Sequence, residues 1–304
     1  MSFMNWMLDR EIKRELPLEW NDLIPTEVFM REAVDLVEKA KSEGVVLRLV
    51  GGLGIAIKCK SNRDFGAKLG RVGTGTTQQE YSDIDLVSYK RHRDQVKSFF
   101  GGLSYAKRRA TLSSAASERQ IYYHPKGWFS VDVFFDKLMV ANHPIDFVGR
   151  LELDYPTITA TDALLEKIQM WEAFGAKDLK DCLLLLKSCR IDAEKGIDSN
   201  YIAKLLSSDW GFWYTATTNL NKILRFVSEL DRFGPDAGID PAQVTSVDRT
   251  EMSTKIEALL KTISDAPKTF GWKMRAKIGT SRKWYNPVER PDTVGGFGIW
   301  EAIK

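Results

Sequence analysis

The stretch Tyr81-Ser82-Asp83-Ile84-Asp85-Leu86, read with Leu49-Val50-Gly51-Gly52 upstream, decides how this chain folds. Side chains alternate along a strand, so Asp83 and Asp85 share one face while Ile84 and Leu86 turn to the other, where they can be buried. Two carboxylates held side by side repel unless a cation lies between them. Mg²⁺ takes oxygen ligands and commonly binds one or two carboxylates together with substrate phosphates. The glycine pair follows the apolar run Val45 to Val50 and opens a helix expected from Leu53 to Lys58. Glycines at such a point let backbone N–H groups approach a phosphate at the helix N-terminus. Together the two segments suggest a metal-dependent nucleotide site.

Working outward, the 304 residues suffice for two domains, and 43% hydrophobic with 28% charged residues is ordinary globular composition. A net charge of +3 says little about nucleic acid, so local clusters matter more. Cys59, Cys182 and Cys189 form no disulfide framework and fit a reducing compartment. No Cys/His spacing matches a zinc site, and His92, His124 and His143 are read as structural or surface groups. The first twenty residues lack the apolar core of a signal peptide, and no run approaches a membrane span. A soluble cytoplasmic protein, away from the membrane, is expected.

Pro25-Thr26 opens a helix to about Ser42, with Thr26 as N-cap and Gly44 as the stop. A strand over 45–50, the Gly-Gly turn and a helix to about Lys60 follow. Residues 61–80 are polar and rich in Gly and Thr and are read as a mobile loop or insertion. The aspartate strand covers 83–89, and a basic helix runs from Lys90 to Phe100. Arg119–His124, a Pro125-Lys126-Gly127 turn and Trp128–Phe135 read as a β-hairpin, with Asp132 among the apolar residues of its second strand. Asp136, at that strand's end, is the weaker candidate for a third acid. After Pro156 the pattern is helical: Ala163–Ala173, a break at Gly175, Lys177–Arg190, and helical stretches near 217–230 and 250–264.

The order of strand, Gly-Gly, helix, Asp-x-Asp strand and third acidic strand resembles the DNA polymerase β-like nucleotidyltransferase superfamily. Gly51, Gly52, Asp83, Asp85 and Asp132 occupy the matching positions. The gap from Gly52 to Asp83 exceeds the family's usual spacing by about the 61–80 segment. Thr159 to Lys167 followed by Lys177-Asp178-Leu179-Lys180-Asp181 is similar to the helical part of the abortive-infection AbiE-type (AbiEii/MenT-type) toxin nucleotidyltransferases, with Lys167 and Asp178 at the matching positions and Asp181 as a second acid. The resemblance covers roughly residues 45–190. It implies an α+β chain: a polymerase β-like catalytic domain over 1–155, with a small mixed sheet flanked by helices, then a mainly helical domain over 156–304 with a basic end. It implies transfer of a nucleotide from an NTP with two Mg²⁺ (or Mn²⁺) ions and release of pyrophosphate. Asp83, Asp85 and Asp132 would bind metal, with Asp132 also a candidate base. Gly51, Gly52 and Ser82 would hold phosphate, with Thr76 and Thr77 as further contacts. Lys167 would steady the triphosphate, and Asp178 would position Lys167 or the acceptor.

Residues 268–283 carry Lys268, Lys273, Arg275, Lys277, Arg282 and Lys283 and no acid, with Phe270, Trp272 and Trp284 interleaved or adjacent. A second cluster is Lys107-Arg108-Arg109. Either could guide an RNA acceptor such as a tRNA end, or be a solvated basic face over core tryptophans. The first expectation is therefore an enzyme that modifies RNA or a protein side chain, such as the toxin of a pair with an antitoxin protein. The alternatives are nucleotidylation of an antibiotic-like small molecule and an inactive nucleotide-binding module.

Overall fold

The computed structural model describes residues 15–71, 79–109, 119–139, 142–172, 174–287, 300 and 303. In chain order the elements are α1 (Thr26–Ser42), β1 (Arg48–Leu49), α2 (Gly51–Lys58), α3 (Arg63–Lys68), β2 (Asp83–Ser88), α4 (Arg93–Gly102), β3 (Ala106–Lys107), β4 (Arg119–Tyr123), β5 (Ser130–Phe135) and β6 (Lys137–Leu138). From residue 160 onward helices dominate: α5 (Ala160–Ile168), α6 (Ala176–Ser188), α7 (Ser199–Leu206), α8 (Trp210–Ser228), α9 (Leu230–Phe233), α10 (Ser246–Asp265) and α11 (Phe270–Ile278). The class is α+β with a small mixed sheet. Met1–Ile57, Gly73–Met139 and Asp146–Ile158 form one compact unit; Lys58–Val72, Val140–Ile145 and Thr159–Lys304 form another. The last crossing falls near the single cut expected at 155/156, but residues 58–72 and 140–145 precede that cut and group with the second unit.

The first unit is built on a sheet of order β1-β2-β5-β4-β3. β2 and β5 are parallel; the other neighbours along this path are antiparallel. The expected hairpin is present as β4 and β5. β5 lies in the middle and is buried along its whole length, which explains its run of Val131, Val133, Phe134 and Phe135. Register sets Asp83 beside Ser130 and Asp85 beside Asp132. Those four side chains therefore share a face, while Ile84, Leu86, Val131 and Val133 share the other. Helix α4 packs on the apolar face, where Phe100 stacks on Tyr122 with ring centroids 4.2 Å apart. Helix α1 buries Val28, Phe29, Ala33, Leu36, Val37 and Ala40, a helical stripe.

Three local expectations need correction. The strand over 45–50 shortens to Arg48–Leu49, one edge of which is met by the segment after Tyr155: Leu49 N donates to Pro156 O (3.0 Å) and Ile158 N to Leu49 O (3.1 Å). Thr26 is the first helical residue rather than the cap, and its hydroxyl donates to Glu80 Oε2 at 2.6 Å. The stretch read as a loop over 61–80 carries α3, which buries Phe65; Thr76 and Thr77 lie outside the described residues. Gly44 does stop α1, with φ +74°.

In the second unit every residue of α5 is buried. Its cap is Thr159, whose hydroxyl accepts from Asp162 N at 3.1 Å and donates to Asp162 Oδ2 at 2.7 Å. Helix α6 follows the break at Gly175 and buries Leu183 to Leu186. Helix α10 packs against α6, α7 and α8.

Candidate active site

The aspartates of the first unit are placed by the sheet register and by the glycine turn. Val50 N donates to Asp85 O at 3.1 Å, which brings the start of α2 against β2. Gly51, with φ +71°, sits so close that a Cβ there would stand 2.8 Å from Asp85 Oδ2. Only glycine fits a left-handed backbone pressed against a carboxylate. Helix α2 begins at Gly51 itself, so Gly51 and Gly52 supply amides of its first turn, where a phosphate is favoured. Ser82 donates its hydroxyl to Asp83 Oδ1 at 3.1 Å, so at present it steadies an aspartate.

Asp132 is buried, and Arg119 Nη1 holds its Oδ2 at 2.9 Å. Arg119 lies diagonally across the ladder, opposite Phe134, on the same face as Asp132. Burial pushes the Asp132 carboxyl up to about 6; Arg119 and Arg108 oppose that rise and the Asp83 charge adds to it. Carboxylate oxygens are the donors that Mg²⁺ and Mn²⁺ take, so the residue types present suit either ion. Among the described residues, however, no three His, Cys, Asp or Glu side chains stand together as a metal-binding group. Asp83, Asp85 and Asp132 are aligned on one face, but Asp132 is turned to Arg119. Arg119 is the residue that sequence reading missed; its signal was a lone Arg at the first position of a strand paired with the Asp132 strand. Arg108, one of the residues expected to guide RNA, carries a charge that acts on Asp132. Lys107 is opposite Tyr122 and so belongs to the α4 face. Asp136 has φ +57° and accepts from Lys90 N at 3.0 Å, which makes it a turn residue.

The second unit holds a separate ionic cluster. Lys167 and Asp178 come together as expected, with Nζ 3.1 Å from Asp178 Oδ1 and 3.2 Å from Asp181 Oδ2. Arg71 joins from the other side, 2.9 Å from Asp181 Oδ1. Asp178 also accepts from Gly175 N at 3.0 Å, capping α6. The Lys167 side chain is only 7% exposed. Burial works to lower its pKa, but Asp178, Asp181 and Glu166 together outweigh it and hold the ammonium above its usual value. This is a fully paired buried network. Asp181 and Arg71 are equal members of it, and Arg71 was not identified from sequence because it lies 110 residues from its partner.

No family model matches this chain, and no curated protein does. Among solved structures it is similar to the antibiotic-resistance factor ANT(2'')-Ia, studied in solution, at 12% identity over 79% of this chain and 91% of that one, with a TM-score of 0.25. A likeness at that TM-score carries no argument about this chain. No described helix is long and apolar enough to cross a membrane.

The basic segment is distributed differently from the expected RNA platform. Trp272 packs edge-on against Trp213 at 5.0 Å, and Trp284 sits among Trp171, Tyr214 and Tyr285. Lys268 caps the carbonyls of Ile263 and Ala266. Arg275 donates to Gly279 O (2.6 Å) and Arg282 O (2.7 Å) and covers the Trp210 ring. Of the three rings proposed for stacking, Phe270 alone is exposed. His124 and His143 are buried against Trp128 and Phe212, as structural residues would be.

Proposed function

We propose that this chain is a metal-dependent nucleotidyltransferase that moves a nucleoside monophosphate from an NTP to an acceptor hydroxyl and releases pyrophosphate. One observation carries the reading: Asp85 and Asp132 are register neighbours, Asp83 is two residues away on the same face, and Asp85 lies against Gly51 at the start of α2. Asp83, Asp85 and Asp132 would hold Mg²⁺ or Mn²⁺. When bound, the metal supplies charge neutralisation of the triphosphate and activation of the acceptor hydroxyl. The Gly51 and Gly52 amides, with Ser82, receive phosphate oxygens. Arg119 and Arg108 supply further positive charge beside them. Asp132 would complete the metal site, and it is also the candidate to take the acceptor proton.

The two guanidiniums beside Asp132 favour an anionic acceptor, so RNA, such as a tRNA end, is preferred. A polycationic small molecule would need spare acids, and Arg119 already engages one of the three. A toxin role would follow if the RNA were essential to growth. Lys167 and Asp178 are assigned first to the ion network of the second unit.

Calorimetric titration of Mg²⁺ with a non-hydrolysable NTP tests the site. The protein should bind the pair, and Asp83→Asn/Asp85→Asn should abolish binding while remaining folded, because it removes like charges. Equal binding by that variant would refute the assignment.

A further inference from the structure

The least explained surface of the second unit is helix α11. Phe270, Met274 and Ile278 recur every four residues and are 80%, 46% and 44% exposed. At 3.6 residues per turn they form one stripe. Lys273 and Lys277 are exposed and run along one edge of it. The opposite face is anchored, with Trp272 against Trp213 and Arg275 against Trp210, so the stripe is held outward. A soluble protein seldom leaves three large apolar side chains aligned without a use for them. At the C-terminal end of the stripe a cavity of about 420 Å³ is lined by Arg275, Ile278, Arg282, Lys283 and Tyr285, and by Asp209, whose carboxylate accepts from Phe212 N at 2.9 Å. From 266 to 287 the sequence has no Asp or Glu. Lys273, Lys277, Arg282 and Lys283 form no ion pair among the described residues, and Asp265, just before the segment, pairs with Lys261 at 2.5 Å.

We propose that α11 docks an acidic amphipathic helix of a partner protein. The partner's apolar side chains lie along Phe270, Met274 and Ile278, its carboxylates face Lys273 and Lys277, and an acidic side chain at its end enters the cavity beside Arg282 and Lys283. The charge pattern selects this occupant. A basic helix would meet four cations, and a second copy of α11 would set lysines against lysines. RNA would use the lysines and Phe270 but leave Met274 and Ile278 against its phosphates. Helix-on-helix burial of such a stripe is an established mode of recognition, with the lysines setting partner choice.

The test uses the full chain and a fluorescein-labelled helical peptide of about 14 residues, with leucines at helical spacing on one face and glutamates on the other. Anisotropy should show binding near roughly 10 µM. Phe270→Ser/Met274→Ser/Ile278→Ser should weaken it by roughly tenfold or more without changing the circular dichroism, since the replaced side chains are exposed. Lys273→Glu/Lys277→Glu should weaken it similarly and should gain binding to the peptide with lysine in place of glutamate. The proposal is overturned if the peptide does not bind, if the variants bind it unchanged, or if the charge swap fails to transfer. It is equally overturned if a single-stranded RNA oligomer, phosphatidylglycerol vesicles or self-association, rather than the peptide, depends on these five residues.

Discussion

Asp132 is where the residue-scale physics is sharpest. Its carboxyl is pushed up to about 6 by burial, with Asp83 adding and Arg119 and Arg108 opposing. A carboxylate raised on folding contributes stability that is full below its unfolded value near 4 and lost as pH rises through 6. The loss is roughly 3 kcal/mol across that window. Asp132→Asn removes this dependence, while its lost contact with Arg119 adds a constant offset. Urea unfolding of the metal-free protein should therefore show the variant gaining on the wild type between pH 4 and 7, and saturating Mg²⁺ should erase that gain. Parallel curves would mean the carboxyl is unperturbed. Gly51 makes the second residue-scale case. Gly51→Ala must place a methyl 2.8 Å from Asp85 Oδ2 at a positive φ, so it should cost about 1–3 kcal/mol and weaken Mg²⁺–NTP binding. Gly101→Ala, with open space around it, should do neither. That Asp83 and Asp85 share a strand face, and that Gly51 turns into α2, was legible because strand alternation and a glycine turn are local patterns. Arg119 was not, because its meeting with Asp132 depends on a diagonal across a hairpin ladder.

Among the elements, the hairpin, α1, α6 and the paired Lys167 and Asp178 could be read in advance from turn residues, apolar spacing and the Gly175 break. α3 could not: Arg63 to Lys68 contains only one large apolar residue, Phe65, and its polarity imitates a loop. Three residues beyond α3 lies Arg71, whose ion pair with Asp181 ties 58–72 to α6. α6 is fixed at its start by Asp178, which caps Gly175 and binds Lys167 at once. Replacing Lys167 by Met leaves Asp178 and Asp181 buried with too few cations, and should cost about 3–5 kcal/mol. Lys167→Met/Asp178→Asn, which removes charges of both signs, should recover part of that loss, measured by chemical denaturation. A cost below about 1 kcal/mol for the single change would show that the network is solvated after all.

On the scale of the whole molecule, each unit buries a histidine that resists protonation. Burial holds His124 and His143 down at about 4, with Lys126 reinforcing the effect at His124 and Asp209 opposing it at His143. A histidine depressed on folding contributes stability that is full above its unfolded value near 6.5 and lost as pH falls toward 4. His143→Gln should therefore flatten the acid limb of the stability curve below pH 6.5; an unchanged limb would place the titration elsewhere. Chain length and the helical pattern after Pro156 suggest two domains cut near 155, whereas the compact units interleave along the chain. The return of 58–72 and 140–145 to the second unit was not legible, since such returns rest on contacts between residues far apart in sequence.

Label transfer shows whether the Asp83–Asp85–Asp132 face transfers nucleotides. Purified protein is incubated with each α-labelled NTP, Mg²⁺ or Mn²⁺ and total cellular RNA, beside Asp83→Ala/Asp85→Ala. Label is expected in RNA and should disappear in the double variant. Label in neither RNA nor protein with any NTP, from a folded protein that also fails to bind NTP–Mg²⁺, would rule that out and leave Asp83, Asp85 and Asp132 as structural residues of the sheet.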